Sequence, residues 1–275
     1  SALDGALYNT AVGAYALSAI TQADNVVAIG NSAAYNLTTA SNNIAIGFRA
    51  MVTHTTGERN TVIGTNAMAD TDAGSTSAGS VDNTFIGHNA GGGTWTNAAS
   101  NYNVGIGNYV MDSALAGVQY TTAVGMNALS AVTSGQNNSV FGTQAGTAIT
   151  TGGYNIAIGA QAMLTHTTGT RNIAIGSNAM DDTNAGSTSL DSDDNLFIGH
   201  DAGGGTWANA KSENNIGIGN FVMDSALNGA IDNTAIGWNA MSALTEGHSN
   251  TVVGKYSGLL ITTGIRNTGL GFNTL

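Results

Sequence analysis

The sequence repeats one short alternation of residues, which ends each time in a glycine. With that glycine counted as position 0, position −1 is always apolar, position −3 is usually Thr, Ile or Val, and position −2 is mostly small. This period of two predicts a short β-strand with −1 and −3 on one face and −2 on the other. Fifteen units share this register, with glycines at Gly13, Gly30, Gly47, Gly64, Gly87, Gly107, Gly125, Gly142, Gly159, Gly176, Gly199, Gly219, Gly237, Gly254 and Gly271.

The units follow one another at intervals of 17 to 23 residues, and the order of the intervals recurs after 112 residues. Residues 47–158 align without a gap on 159–270, and residues 1–46 align in the same way on 113–158. A period this short fits one coil of a β-solenoid or β-roll, in which each coil pairs only with its neighbours. We therefore predict a single repeat body over 1–275, built from 112-residue super-repeats.

Three further positions predict how the coils stack. Position −4 is Asn in thirteen of the fifteen units, which predicts a column of amides bonded from coil to coil. Position +3 is Ala in eleven units. The residues at −2 and +4 offset each other in size, as in Phe85 with Gly91 and Gly105 with Met111. We therefore expect −2 and +4 to share one packed layer of conserved volume.

A second segment of each 17-residue coil also has a pattern. Thr stands at +8 in all eight such coils, and Gly follows at +10 in six of them. The residue at +7 is aliphatic in six coils and His in two. These positions predict a second short strand that ends in a turn with positive φ.

Composition narrows the class of protein. Only 8% of the residues are charged, 39 are glycine, and none is proline or cysteine. The formal net charge is −11, and the basic residues are scattered, which argues against a nucleic-acid partner. No apolar run is long enough to cross a membrane, and no signal peptide is evident. The chain opens and stops within its repeat and is therefore expected to be a segment of a longer protein.

The repeat units carry a resemblance to known families. NTAVGAYAL at residue 9, NIAIGAQAM at 155 and NTAIGWNAM at 233 resemble the repeats of YadA-type head domains in trimeric autotransporter adhesins. They are more similar still to the NTAIG-x-x-AL repeats of phage tail fibres and tailspikes. The resemblance implies an all-β fold, a β-solenoid or left-handed parallel β-roll of about 15 coils assembled as an elongated homotrimer.

The same resemblance implies a function in attachment. We expect a structural and adhesive fibre segment, exposed on a virion, that presents a surface for a cell-surface glycan or protein receptor. The alternative is the head of a bacterial trimeric adhesin on the cell surface. Neither class implies a cofactor. A thin single roll leaves apolar faces open, and three copies would bury them, which supports the homotrimer on physical grounds.

Aromatic residues are the first candidates for receptor binding. Trp95 and Trp207 occur at matching places after three glycines, and Tyr102 lies near the first of them. An aromatic face presented on a flexible stalk is a surface on which sugars stack. The alternative is a Trp folded over the roll or against a neighbouring chain.

Metal binding has two candidate sets. His54 and His166 stand at +7, and a three-fold axis would bring three such rings together around an ion or water. The alternative is a partly buried His bonded to backbone, and without a second column of ligands we predict no metal. Asp70 and Asp72, in DTDAG, echo part of a calcium loop, although the glycine comes one position early and no distal Glu follows.

Catalysis and ice binding are the remaining classes. A glycan-degrading tailspike needs paired carboxylates, and Asp191, Asp193 and Asp194 cluster in one long loop. The first copy lacks that cluster, so we predict no catalytic residues and no enzyme activity. Ice binding needs an uninterrupted array of paired threonines, which the 23-, 20- and 18-residue coils interrupt.

Overall fold

The structure is a computed structural model, and it describes residues 5–71, 79–96, 98–183, 191–208 and 210–275. The chain is all-β and folds as a parallel β-solenoid with one strand per coil. It divides into two compact units, residues 1–137 and 138–275. The 15 strands are β1 Thr10–Val12, β2 Val27–Ile29, β3 Ile44–Ile46, β4 Thr61–Ile63, β5 Thr84–Ile86, β6 Val104–Ile106, β7 Thr122–Val124, β8 Ser139–Phe141, β9 Ile156–Ile158, β10 Ile173–Ile175, β11 Leu196–Ile198, β12 Ile216–Ile218, β13 Thr234–Ile236, β14 Thr251–Val253 and β15 Thr268–Leu270.

In each unit the strands pair in parallel and in chain order. The first unit holds β1 to β7 and the second holds β8 to β15. Each strand pairs residue for residue with the next, as Ile173 does with Leu196 across the 23-residue coil. A coil therefore lengthens the sheet by one strand whether it has 17, 18, 20 or 23 residues. The extra residues of the longer coils lie outside the paired strands. The predicted strand and its register are confirmed.

The strand faces alternate as predicted. The residue at −2 is buried in every strand from β2 to β15, whereas −1 and −3 are half-buried or exposed. The interior of a coil is therefore filled from −2 and from the buried residues at +3 and +4. The larger apolar side chains at −1 point away from this interior, which leaves an apolar column on the outside of the sheet.

The asparagine column is confirmed as a hydrogen-bonded ladder. The side-chain Oδ1 of Asn43 accepts from the backbone N of Asn60 at 2.8 Å and from its Nδ2 at 3.2 Å. Asn60 repeats this arrangement with Asn83, at 3.0 and 3.1 Å. Each Nδ2 also donates to a backbone carbonyl at the turn of the following coil, which for Asn60 is that of Ser80 at 2.9 Å. The amides thus satisfy backbone groups that the short strands leave without a partner.

The shared layer of −2 and +4 is also present. A Cβ built on Gly203 would lie 2.8 Å from Cδ1 of Phe197, and one built on Gly217 would lie 2.6 Å from the same atom. One phenyl ring therefore covers +4 of its own coil and −2 of the next coil. The size compensation acts between coils as well as within one.

This layer yields a prediction about packing. Gly203→Met should destabilise the second unit by ~1 to 3 kcal/mol, because the added side chain overpacks against Phe197. The backbone is not the obstacle, since Gly203 has φ +62° and Met223 at the same position has φ 45°. Phe197→Ala combined with Gly203→Met should recover much of the loss. Chemical denaturation of the double-mutant cycle measures the coupling, and simple additivity would contradict the shared layer.

The second strand of each coil was predicted wrongly. Within the described ranges, residues around +8 form bends and turns, and every named strand lies at −3 to −1. Stacking there uses a threonine ladder instead. Thr21 donates its N–H and its hydroxyl to the carbonyl of Thr38, at 3.0 and 3.1 Å, and Thr38 bonds Thr55 in the same way. Side-chain and backbone donors of one residue share an acceptor, so an extended strand is not needed.

Glycine is favoured at +10 for a different reason from the one predicted. Gly57 and Gly169 do not have positive φ; instead, a Cβ on Gly57 would lie 2.0 Å from the carbonyl oxygen of Ser80. Left-handed backbone occurs at −5, +2 and +4 in each coil, mostly at residues other than glycine, such as Tyr154, Gln161 and Met163. Close approach of neighbouring coils, not turn conformation, selects glycine at +10.

Candidate binding surface

Trp95 and Trp207 are completely buried, so the prediction that they offer a face to a ligand is wrong. Nε1 of Trp95 donates to the carbonyl of Gly91 at 2.9 Å, and its ring meets the edge of Phe85 with centroids 5.8 Å apart. Trp207 makes the same two contacts with Gly203 and Phe197. The glycines after position 0 let the chain fold back, which places the indole on the coil's aromatic layer. The alternative of a Trp folded over the roll is the observed one.

Tyr102 is an exposed residue at −5, on an outer corner of its coil. Its ring is 47% exposed and stacks on Tyr120, with centroids 5.1 Å apart and planes 3° apart. Tyr120 occupies −5 of the next coil and was not singled out from the sequence. Because the two rings stack along the direction of the coils, each covers one face of the other. The stack therefore leaves at most one face of each ring open to a ligand.

His54 and His166 lie inside the solenoid. Both are completely buried within the single chain, so neither ring faces a position where copies of the chain would meet, and neither is placed to hold the candidate ion on a three-fold axis. Nε2 of His54 donates to the carbonyl of Gly57 at 3.1 Å, and the hydroxyl of Thr71 donates to Nδ1 at 3.1 Å. His166 has the equivalent bond from Thr183 at 3.0 Å. The buried, backbone-bonded histidine is the observed alternative.

These histidines predict sensitivity to acid. Burial lowers the pKa of His54 and of His166 to about 4, and the backbone bonds to Gly57 and Gly169 offset only part of that effect. A folded pKa below the unfolded value of 6.5 gives stability that is complete above pH 6.5 and is lost as the pH falls toward 4. We expect a loss of about 3 kcal/mol per ring at pH 4.

The test compares the wild type with His54→Leu, because Leu or Ile fills this position in other coils. The variant should lose less stability between pH 7 and pH 4 than the wild type, by up to about 3 kcal/mol in denaturant titrations. Equal losses in both proteins would contradict a buried neutral His54.

The aspartates weighed as a calcium loop have other partners. Asp70 accepts a hydrogen bond from the hydroxyl of Thr94 in the next coil, at 2.5 Å, and Asp182, the matching residue of the second copy, accepts a hydrogen bond from Thr206. Asp72 lies outside the described residues. Within the ranges that the structure describes, no group of three or more His, Cys, Asp or Glu residues is arranged to hold a metal ion.

The loop acids considered for catalysis bond to neighbouring coils. Asp191 accepts from the hydroxyl of Thr168 at 2.5 Å, and Asp193 accepts from the backbone N of Thr170 at 2.6 Å. Asp194 forms a bidentate pair with Arg171 at 2.6 and 2.8 Å, and that hydrogen-bonded guanidinium lowers the pKa of its carboxyl. These bonds connect neighbouring coils across the 23-residue spacing, so the carboxylates stabilise the stack of coils.

A second acidic group lies on the coils beside Trp207. The pKa of Asp181 and of Asp224 is raised to about 6, mainly because both carboxyls are partly buried. The nearby negative charge of Asp201 also raises both pKa values. In the first copy, Asn89 replaces Asp201 and Ala69 replaces Asp181. The concentration of like charge is therefore a property of the second copy.

Sequence reasoning missed a row of aromatic rings on the second unit. Phe221, Trp238, Tyr256 and Phe272 occur once per coil in four successive coils, and we call them the aromatic strip. Adjacent ring centroids are 6.4, 4.8 and 6.0 Å apart, with interplanar angles of 72–89°. The signal was present in the sequence, because the strip alternates between +2 and +1, two positions that are half-buried or exposed in every coil.

Comparison with known proteins produced no match among protein-family models, curated proteins or solved structures. The fold and its surfaces therefore define the class: a parallel β-solenoid repeat protein with an apolar outer column and an exposed aromatic strip. No helix in the described part of the chain has the length and apolar character needed to span a membrane.

Proposed function

We propose that this chain is a structural and adhesive fibre segment of a virion, of the phage tail-fibre kind, that assembles as a homotrimer and presents a host-receptor-binding surface. The observation that carries the proposal is the apolar column on the outside of the strands. An outward row of Ile, Val, Phe and Leu is unusual for a β-sheet face that meets water, because such a face is normally polar.

The column is continuous within each unit. Position −1 is apolar in every strand, and the neighbouring position −3 adds the exposed Ile44 and Ile216. Six residues at −1 that have a coil on both sides are between 37% and 42% exposed: Ile29, Ile106, Phe141, Ile158, Ile236 and Val253. A contiguous exposed apolar surface of this kind marks an interaction site.

A second copy of the chain is the partner that fits the column best. Every coil adds one strand spacing whatever its length, so the column has one apolar residue per strand spacing. Only a partner with the same spacing matches it coil by coil, and a parallel copy has that spacing by construction. Three copies around one axis bury three such columns without leaving an open interface.

The head of a bacterial trimeric adhesin is the second candidate. The units NTAVGAYAL and NTAIGWNAM favour it, since they resemble YadA-type repeats, and the outer column serves both functions equally. The flanking sequence discriminates between them: a C-terminal chaperone domain supports the virus, and a membrane-anchor barrel supports the bacterium.

Light scattering on the purified chain tests the assembly. We expect three times the 27.5 kDa chain mass. Ile158→Thr with Ile236→Thr should reduce the mass toward that of one chain while the circular dichroism of the β-fold is kept. Tyr154→Ala, at an exposed corner away from the column, is the matched control and should remain a trimer. A monomeric wild type at micromolar concentration would refute the trimer.

Adhesion needs a separate measurement. Fluorescently labelled chain should bind intact host cells saturably, and unlabelled chain should compete with it. Release of sugars from isolated cell envelopes by the purified chain would overturn the proposal in favour of a glycan-degrading tailspike.

A further inference from the structure

The aromatic strip is not required by the fold. Its residues occupy +1 and +2, where other coils carry unrelated side chains such as Asn31, Thr65 and Ser177. The residues 112 positions earlier are Tyr109, Met126, Gln144 and Ala160, so three of the four rings are absent from the preceding repeat. Backbone geometry does not explain the change, because Tyr256 has φ 60° and Gln144 has φ 57°.

The strip retains accessible aromatic surface. Trp238 is 37% exposed, and its two neighbours in the strip, Phe221 and Tyr256, are half-buried, while Phe272 lies in the last coil. The rings meet edge to face, so successive rings present faces in alternating directions. The result is a narrow apolar row, one ring wide, that follows the stacking of the coils.

A cation lies on the strip. Nζ of Lys255 is 4.6 Å from the ring centroid of Trp238 and 5.0 Å from that of Tyr256. Among the described residues, no carboxylate lies within ion-pair distance of this ammonium, whereas Arg171 and Lys211 each pair with an acid. In a chain of net charge −11, an ammonium held by rings and left without a carboxylate is available to an anionic ligand. The residue 112 positions earlier is Thr143.

We propose that the aromatic strip binds a linear glycan that carries carboxylate groups. The apolar C–H faces of its sugar rings stack on Trp238 and on the neighbouring rings, and Lys255 donates to a carboxylate. A row that repeats once per coil fits a polymer whose rings also repeat. Stacking of sugar rings on the strip supplies most of the contact, and one carboxylate of the glycan pairs with Lys255, whereas a nucleic acid binds chiefly through several cations along its phosphates. The inference deepens the adhesive part of the proposed function and does not depend on the homotrimer.

The experiment uses the chain's own fluorescence. Trp95 and Trp207 are completely buried, so acrylamide quenching of the folded protein reports on Trp238. With oligogalacturonate as the probe, we expect saturable protection of Trp238 from acrylamide. A neutral cello-oligosaccharide of equal length should protect less, because it cannot pair with Lys255.

Substitutions from the preceding repeat provide variants that the fold already accepts. Lys255→Thr should weaken oligogalacturonate binding by roughly fivefold and reduce its salt dependence. Tyr256→Gln should weaken it by roughly two- to tenfold. Tyr154→Ala removes an exposed ring that is not part of the strip, and it should bind as the wild type does.

Three results would overturn the inference: a Trp238 that acrylamide cannot reach in the free protein, no protection by oligogalacturonate, or unchanged affinity in Lys255→Thr combined with Tyr256→Gln. Failure of the trimer appears separately in the light-scattering mass. A trimeric chain without glycan binding refutes only the role of the strip, and a monomer with glycan binding refutes only the assembly.

Discussion

Gly64→Ala is expected to destabilise the first unit by about 3 to 6 kcal/mol, although it adds only one methyl group. A Cβ on Gly64 would lie 2.1 Å from the carbonyl oxygen of Gly87, and the backbone has φ +144°, which side chains disfavour. The obstructing atom is backbone of the next coil, so it cannot move without opening the stack. Hydrogen exchange should show local opening around these two coils before the unit unfolds.

Gly79→Ala is the matched control in the same unit. A Cβ at Gly79 meets no atom of the described residues within 4 Å, and its backbone does not have positive φ. Its unfolding free energy should therefore change by no more than about 0.5 kcal/mol. A similar loss in both variants would show that the effect at Gly64 does not come from contact between coils.

Asn60→Leu is expected to cost about 3 to 5 kcal/mol, although Leu has a similar size and the site is completely buried. The change removes the acceptor of the Asn83 backbone N–H, at 3.0 Å, and a donor to the Ser80 carbonyl, at 2.9 Å. Buried polar groups that lose their partners bear the full cost of desolvation. Chemical denaturation measures the loss.

Asn31→Ala is the control for the amide ladder. Asn31 lies at +1, outside the column and exposed to solvent, and Ala14 and Ala160 occupy the same position in other coils, so the substitution should change stability by no more than about 0.5 kcal/mol. If Asn60→Leu were as mild as this control, the amide column would be a packing feature and not a hydrogen-bonded one.

Much of the interior could be predicted from the sequence because the coils stack in one dimension. A column such as Asn43, Asn60 and Asn83 repeats its environment in every coil, so the pattern of residues reports one local geometry many times. The same reasoning identified the shared layer of Phe197 and Gly203, where a change of volume in one position appears as the opposite change in the other.

The candidate sites were harder to predict for a physical reason. The side chain of His54 points inward because its ring is hydrogen-bonded to Gly57 and Thr71. The position of His54 in the repeat does not by itself predict that orientation. Trp95 lies in a glycine-rich segment that is not part of the regular 17-residue repeat. Its burial depends on packing against Phe85. Sequence reasoning left two alternatives open for each residue, a role in binding and a place in the packed interior.

The sequence by itself determined the strand at −3 to −1 of each coil, its parallel register, the glycine and asparagine columns, and the apolar character of −1. These features depend on the identity of one residue in each coil and on contact with the same position of the next coil. The tertiary structure decided the contacts between different positions of the repeat. These are the threonine ladder in place of a second strand, the inward histidines and tryptophans, and the aromatic strip with Lys255. Those arrangements depend on distances between side chains of different positions in neighbouring coils, and such distances exist only after the coils have stacked.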